Sequence, residues 1–224
     1  MADYIIRVDI AKAPGQANFA IAIGRIESKI CSLVNVISLN GGTYEQMVKL
    51  IRECTINYNI VRIQMDKGGG GDALKEQLAK PYYDRVAETI YKPILDMDDE
   101  GTENADGLRY LRLINFHGAK HSNLFTNLKA EMEQKRVKFP INHFRDPDGS
   151  KELERSMLEI RETKKELMVT TSKPRGANLH FEVPSTFRMD RAVALTLVID
   201  AMIEERLPEW KSKIPQELAI GSWV

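Results

Sequence analysis

Three aspartates stand far apart in the chain, each at the end of an apolar strand or in the opening turn of an apolar helix. They are Asp9 in Ile-Ile-Arg-Val-Asp-Ile, Asp66 in Val-Arg-Ile-Gln-Met-Asp and Asp190 in Arg-Met-Asp-Arg-Ala-Val-Ala-Leu. If the strands carrying Asp9 and Asp66 lie side by side and parallel, residues at their ends sit about 4.8 Å apart across the sheet. Carboxylates that close repel unless a cation stands between them. A third Asp brought in by a late helix completes an all-oxygen set suited to hard ions such as Mg²⁺ or Mn²⁺. Taken singly, each has a plainer reading as a turn former or a helix N-terminal residue favoured by the macrodipole. Their conjunction favours the site. Asp190 shares a helix face with Ala194, Leu197 and Ala201, and an acid on a packed face is costly unless something neutralises it.

The elements that must position these acids follow from hydrophobic spacing. Tyr4 to Ile10, Asn18 to Ile26 and Ile30 to Leu39 alternate as a three-strand antiparallel meander, with a turn at Glu27-Ser28-Lys29. Thr43 and Gln46 form a capping box for a helix whose buried stripe is Met47, Leu50, Ile51 and Cys54. Ile60 to Met65 returns as a strand with Arg62 and Gln64 on one face, which turns Asp66 to the polar side. A short helix spans about Asp72 to Leu78, and a fifth strand runs from Arg109 to Phe116. Leu124, Phe125, Leu128 and Met132 mark a further helix, and Ser150 to Glu162 another. Glu166 to Ser172 and Asn178 to Val183 then read as a β-hairpin, and the last helix runs from about Arg188 to Arg206. Between these, the acids from Asp96 to Asp106 read as a solvated loop. Mixed sheets of this kind carry an antiparallel ribbon on a parallel core.

Two further features could meet a phosphate. Gly68, Gly69, Gly70 and Gly71 follow Asp66 directly, but no Gly-Lys-Ser or Gly-Lys-Thr completes a Walker loop. Glycine permits close backbone approach, so Gly68, Gly69 and Gly70 with Lys67 beside them are candidate contacts to a DNA backbone. Asp72 reads as the cap of the following helix or as outer support for the metal ligands. Lys164, Lys165, Lys173 and Arg175 gather around the expected hairpin and would form a local positive wall. The four histidines show no ligand spacing, and Met157 and Met168 read as packing residues.

Composition sets the outer limits. The chain of 224 residues, 43% hydrophobic, is read as one globular domain spanning residues 1–224. Its 32 basic and 32 acidic side chains cancel, so any grip on nucleic acid must be a local patch. With only Cys31 and Cys54, the second on an apolar stripe, two reduced thiols are expected and a disulfide scaffold is not. No stretch reaches about 18 uninterrupted apolar residues, and no secretory signal opens the chain. The expected setting is soluble and intracellular, with no membrane partner.

Val-Asp-Ile-Ala, Phe-Ala-Ile-Ala-Ile, Ile-Gln-Met-Asp-Lys-Gly-Gly-Gly-Gly-Asp-Ala-Leu, Leu-Arg-Leu-Ile-Asn-Phe and Met-Asp-Arg-Ala-Val-Ala-Leu together resemble the C-terminal nuclease domain of large terminase subunits of tailed bacteriophages. The resemblance covers nearly the whole chain. It implies an α/β, RNase H-like mixed sheet flanked by helices, with a hairpin inserted near the active site from about Lys165 to Val183. It also implies endonucleolytic cutting of concatemeric double-stranded viral DNA in the host cytoplasm, with two divalent cations, Mg²⁺ or Mn²⁺, held by Asp9, Asp66 and Asp190. The implied partners are the terminase ATPase domain, the small terminase subunit and the portal. The chain departs from the family pattern in two places. Phe187 stands where some members carry a histidine, and no phosphate-loop motif of a motor ATPase occurs, so an isolated nuclease module is expected. The alternatives are another RNase H-like enzyme, such as a junction resolvase or transposase core, or a non-catalytic DNA or motor docking module.

Overall fold

The computed structural model describes residues 2–10, 18–85, 88–99, 106–116, 118–140 and 150–206. His117 and His143, and Glu100 and Glu103 of the acidic run, lie outside these residues. In chain order the elements are β1 (Asp3–Ile10), β2 (Asn18–Glu27), β3 (Ile30–Asn40), α1 (Tyr44–Asn57), β4 (Ile60–Asp66) and α2 (Gly71–Leu78). There follow β5 (Tyr82–Asp84), β6 (Thr89–Tyr91), β7 (Ile94–Asp96), β8 (Leu108–Ile114), α3 (Ala119–Glu133) and β9 (Val137–Lys138). The chain continues with α4 (Lys151–Val169), β10 (Thr171–Arg175), β11 (Asn178–Glu182) and α5 (Asp190–Arg206).

Seven strands form one mixed sheet in the order β7-β8-β4-β1-β2-β3-β9. The meander is antiparallel, whereas β1 pairs β4, and β4 pairs β8, in parallel. Alternation divides the side chains between two faces. On one, Ile6, Val8, Phe19, Ile21, Ile63 and Met65 pack on the α1 stripe and on Leu74 and Leu78 of α2. On the other, the small side chains of Ala20 and Ala22 admit α5 closely, with Ala194, Leu195 and Val198 against them. Helix α5 is buried from Ala192 to Met202 and apolar there except for Thr196 and Asp200, as suits a helix covered by a sheet and two further helices.

The expected meander, first helix and parallel return are present, and the α1 capping box is formed by Thr43 and Gln46. Three expectations are corrected. Helix α4 continues to Val169, so Glu166 to Ser172 is mostly helix, and the hairpin is the shorter pair β10–β11. Its stripe of Ser156, Ile160, Thr163 and Glu166 keeps helical spacing to the end, which outweighs the β-branched run that follows. The acidic run is not simply a solvated loop. Ile94–Asp96 is a buried strand, and Lys75 ion-pairs Asp96 at 2.9 Å and Asp99 at 2.8 Å. Met168, expected to pack, is 84% exposed. Cys31 and Cys54 are free and buried, as expected.

Candidate active site

Parallel pairing of β1 and β4 runs through Arg7–Gln64 and Val8–Met65, so Asp9 and Asp66 are the next residues of adjacent strands. Both belong to the sheet face opposite Val8 and Met65, the face covered by α5. Asp66 is buried and accepts the backbone N–H of Phe116, just past β8, at 3.3 Å. Asp190 is the first residue of α5, whose positive N-terminal dipole favours a carboxylate there.

The electrostatics tie the three together. Burial pushes the Asp9 carboxyl up from 3.8 to about 8, with the nearby charges of Asp190, then Asp66 and Glu166, adding to the effect. Asp190 is also raised by burial, against the pull of Arg188 and Arg191. A carboxyl surrounded by other acids strongly disfavours full ionisation in the absence of a counter-ion. Among the described residues, no three His, Cys, Asp or Glu side chains already stand close enough to close on one ion. The acids therefore converge within electrostatic reach as an open cluster.

Glu166 is the participant that the sequence did not reveal, because its segment read as strand. From α4 it accepts the Ala192 N–H at 2.9 Å and the Arg191 guanidinium at 2.7 Å, clamping the first turn of α5. Arg191 also donates to Glu159 at 2.6 Å, and Ser38 of β3 donates to the same carboxylate at 2.8 Å. Beneath the acids Arg7 is fully buried, and its three guanidinium nitrogens have no hydrogen-bond partner among the described residues. Burial lowers its pKa well below the usual value, opposed by the charges of Asp200 and Glu204.

The glycine run packs against these strand ends. A Cβ on Gly71 would stand 1.9 Å from the Asp66 carbonyl oxygen, and one on Gly69, at φ +64°, 2.4 Å from the Ile10 carbonyl oxygen. Glycine is needed here because backbone meets backbone. Gly68 and Gly70 are half-buried in the same turn, and Lys67 beside it is exposed. Asp72 does not cap α2. The cap position is Gly70, without a side-chain bond, and Asp72 is an exposed first-turn acid.

The expected basic wall is broken up. Lys164 and Lys165 lie on α4: the first donates to the Pro140 carbonyl at 3.4 Å, the second pairs with Glu162 at 2.7 Å. Lys173, on the hairpin, is neutralised by Glu182 across the strands. Arg175 alone of the four projects at the hairpin tip, opposite Asn178.

No protein-family model matches the sequence, and no curated protein matches it. Solved structures do. The large terminase nuclease from thermophilic phage G20c aligns with a TM-score of 0.57 at 16% identity, over 89% of this chain and 82% of that one. The nuclease domain of the large terminase subunit gp2 of bacterial virus Sf6 gives 0.52 at 11%, over 88% and 87%. The fold is that of the large terminase nucleases. It is the RNase H-like fold expected from the sequence, carried here at very low identity. A large terminase from another thermophilic bacteriophage aligns over 90% of this chain with a TM-score of 0.53 at 9% identity, but the chain spans only 40% of its length. The G20c nuclease has been crystallised with bound magnesium, cobalt and zinc. No described helix of the present chain is long and apolar enough to cross a membrane.

Proposed function

We propose that this chain is a divalent-metal-dependent endodeoxyribonuclease that cuts double-stranded, concatemeric viral DNA during genome packaging, with little sequence preference. The observation that carries this reading is the placement of Asp9 and Asp66 as next residues of adjacent parallel strands, on the sheet face covered by the helix that Asp190 opens, with the charges of Asp190 and Asp66 adding to the burial that raises the Asp9 pKa. An all-carboxylate donor set fits hard cations, and such repulsion is what a cation relieves. Asp9, Asp66 and Asp190 would hold the two ions between them.

Bound Mg²⁺ or Mn²⁺ would supply charge neutralisation at the scissile phosphate and activation of the attacking water. The chain's own groups do the rest. The Phe116 N–H fixes the Asp66 carboxylate, and Glu166 fixes the turn of α5 from which Asp190 projects. The exposed ammonium of Lys67 can meet charge building on the phosphate, where a fixed cation acts most strongly. The match to large terminases supports a place in a packaging complex, in the host cytoplasm, with the ATPase domain, small subunit and portal as partners. The single domain of residues 1–224 would be its nuclease module.

Incubation with supercoiled plasmid under Mn²⁺, Mg²⁺, Ca²⁺ and chelator is the direct test. Nicking and linearisation are expected with Mn²⁺ or Mg²⁺ and none with chelator. An inert chain under all four conditions would leave only a docking module.

A further inference from the structure

Between the end of β8, the first turn of α3 and the tip of the hairpin lies a cleft of about 450 Å³. It is lined by Phe116, His121, Arg175, Asn178, Leu179 and His180, with no acid among them. In a chain whose charges cancel, that is a local cluster of one guanidinium, two imidazoles and a phenyl ring. The guanidinium of Arg175 makes no ion pair among the described residues, whereas Lys165 and Lys173 are taken up by Glu162 and Glu182.

The cleft is preformed. Leu179 of the hairpin donates its backbone N–H to Ser122 Oγ of α3 at 3.0 Å, and Phe181 stacks on Phe125 with ring centroids 4.8 Å apart. Phe116 meets His121 edge-on, with ring centroids 4.8 Å apart. His180 stands 6.5 Å from His121, tilted 31° from it. Phe116 also joins the cleft to the acids, since its backbone N–H is the one bound by Asp66.

A volume of this size suits one small-molecule-sized group, and a duplex, whose major groove alone is about 12 Å wide, cannot enter it. Arginine reads phosphate through its planar fork, and imidazole and aromatic rings offer faces on which a base stacks. We propose that this cleft binds one unpaired nucleotide of the DNA strand being cut, adjacent to the scissile phosphate. The phosphate lies on Arg175 and His180, and the base lies against His121 and Leu179. The inference rests on the nuclease reading above and deepens it: the enzyme holds a locally opened strand beside Asp66.

The test is fluorescence anisotropy in chelator, with a short labelled single strand and a blunt duplex of the same sequence. The variant is Arg175→Ala/His180→Ala, both residues being exposed and outside the acid cluster, with an unchanged melting temperature as the control. Affinity for the single strand should fall about tenfold or more, as expected for the loss of both charge-assisted phosphate contacts, and affinity for the blunt duplex far less. A single strand carrying methylphosphonates throughout should show no difference between wild type and variant. Equal loss on both DNAs, no loss on either, or a wild type that does not bind single strands would overturn the proposal. Chelator keeps this separate from catalysis. Normal discrimination with no plasmid nicking in Mn²⁺ would sink the nuclease reading and leave the nucleotide site standing.

Discussion

Glu166 of α4 accepts the backbone N–H of Ala192 at 2.9 Å, two residues beyond Asp190, so one helix holds the start of another from the side. The same carboxylate takes Arg191 at 2.7 Å, and burial raises its pKa against those two bonds. The arrangement neutralises Arg191 and fixes the direction from which Asp190 approaches Asp9. Glu166 acts through its neighbours and is a positioning residue.

Glu166→Ala leaves the half-buried Arg191 with Glu159 as its remaining carboxylate partner and the Ala192 N–H unmet, which costs about 1–3 kcal/mol of stability. Glu166→Gln keeps an oxygen for Ala192 and should recover much of the stability. In plasmid nicking, both variants should need more Mn²⁺ for half-maximal rate, because Asp190 is less well held. A Glu166→Ala protein with wild-type melting temperature and Mn²⁺ dependence would remove Glu166 from this role.

Asp9 sets a pH dependence whose direction follows from its raised pKa. The ordinary value is 3.8 and the folded value about 8, so the folded chain holds this proton more tightly than the unfolded chain. The contribution to stability is complete below about pH 4 and is lost as pH rises through about 8. Asparagine mimics the protonated acid. In chelator, Asp9→Asn should therefore gain melting temperature over wild type, by an amount that grows from pH 5 to pH 8 and then levels off, while plasmid nicking disappears. Asp66→Asn and Asp190→Asn should also lose nicking with the fold retained. A gain for Asp9→Asn that is the same at pH 5 and pH 9 would contradict the crowding of acids around it.

Divalent ions should relieve the same crowding in the wild type. An ion bound only by the native chain stabilises it by mass action, about 2.7 kcal/mol at a hundred times its dissociation constant. Millimolar Mn²⁺ should raise the melting temperature of the wild type and leave the Asp9→Asn/Asp66→Asn/Asp190→Asn protein unmoved. Ca²⁺ should stabilise but support little cutting, because its looser coordination places the water poorly. A flat Mn²⁺ titration of the wild type would count directly against the open cluster as a metal site.

The parts of this fold that were legible are those whose signal is local. Alternation in Ile-Ile-Arg-Val-Asp-Ile and Val-Arg-Ile-Gln-Met-Asp specified which way Asp9 and Asp66 face, and the Thr43–Gln46 box gave the start of α1. The parts missed depend on distant partners. Glu166 lies on a helix whose end resembles a strand in propensity, and only its bonds to Arg191 and Ala192 identify it. The short strand Ile94–Asp96 sits among acids that read as solvated until Lys75 and β8 are seen to cover them. Arg175 was grouped with lysines that the fold in fact pairs with acids or carries away on α4.

The glycine run offers a sharp steric test. Gly71→Ala must move the Asp66 carbonyl or the start of α2, since backbone atoms on both sides cannot give way cheaply. Overpacking of this kind costs about 1–3 kcal/mol. Gly69→Ala adds the strain of a positive φ to its clash with Ile10. Both should lower the melting temperature and slow nicking, and Gly71→Ala should weaken the Mn²⁺-induced stabilisation because it displaces Asp66 itself. A Gly71→Ala protein with unaltered stability and Mn²⁺ response would mean that the turn is only a connector.

Lys67 and the α4 lysines should separate kinetically. Lys164 and Lys165 reach Pro140 and Glu162, and Lys173 reaches Glu182, so none projects freely from the hairpin as the sequence suggested. Replacing these three by alanine should therefore change duplex affinity only slightly, and shift the slope of log affinity against log salt by much less than the about 0.9 per residue that full phosphate contacts would give. Lys67 follows Asp66 directly and is exposed. A cation there meets charge that builds on the phosphate as the bond breaks, so Lys67→Ala should lower kcat by about ten- to a hundredfold while leaving KM for duplex nearly unchanged. If KM rises and kcat falls no further than about twofold, Lys67 is only a grip on the DNA backbone, and stabilisation of the developing charge would fall to the ions that Asp9, Asp66 and Asp190 are proposed to hold.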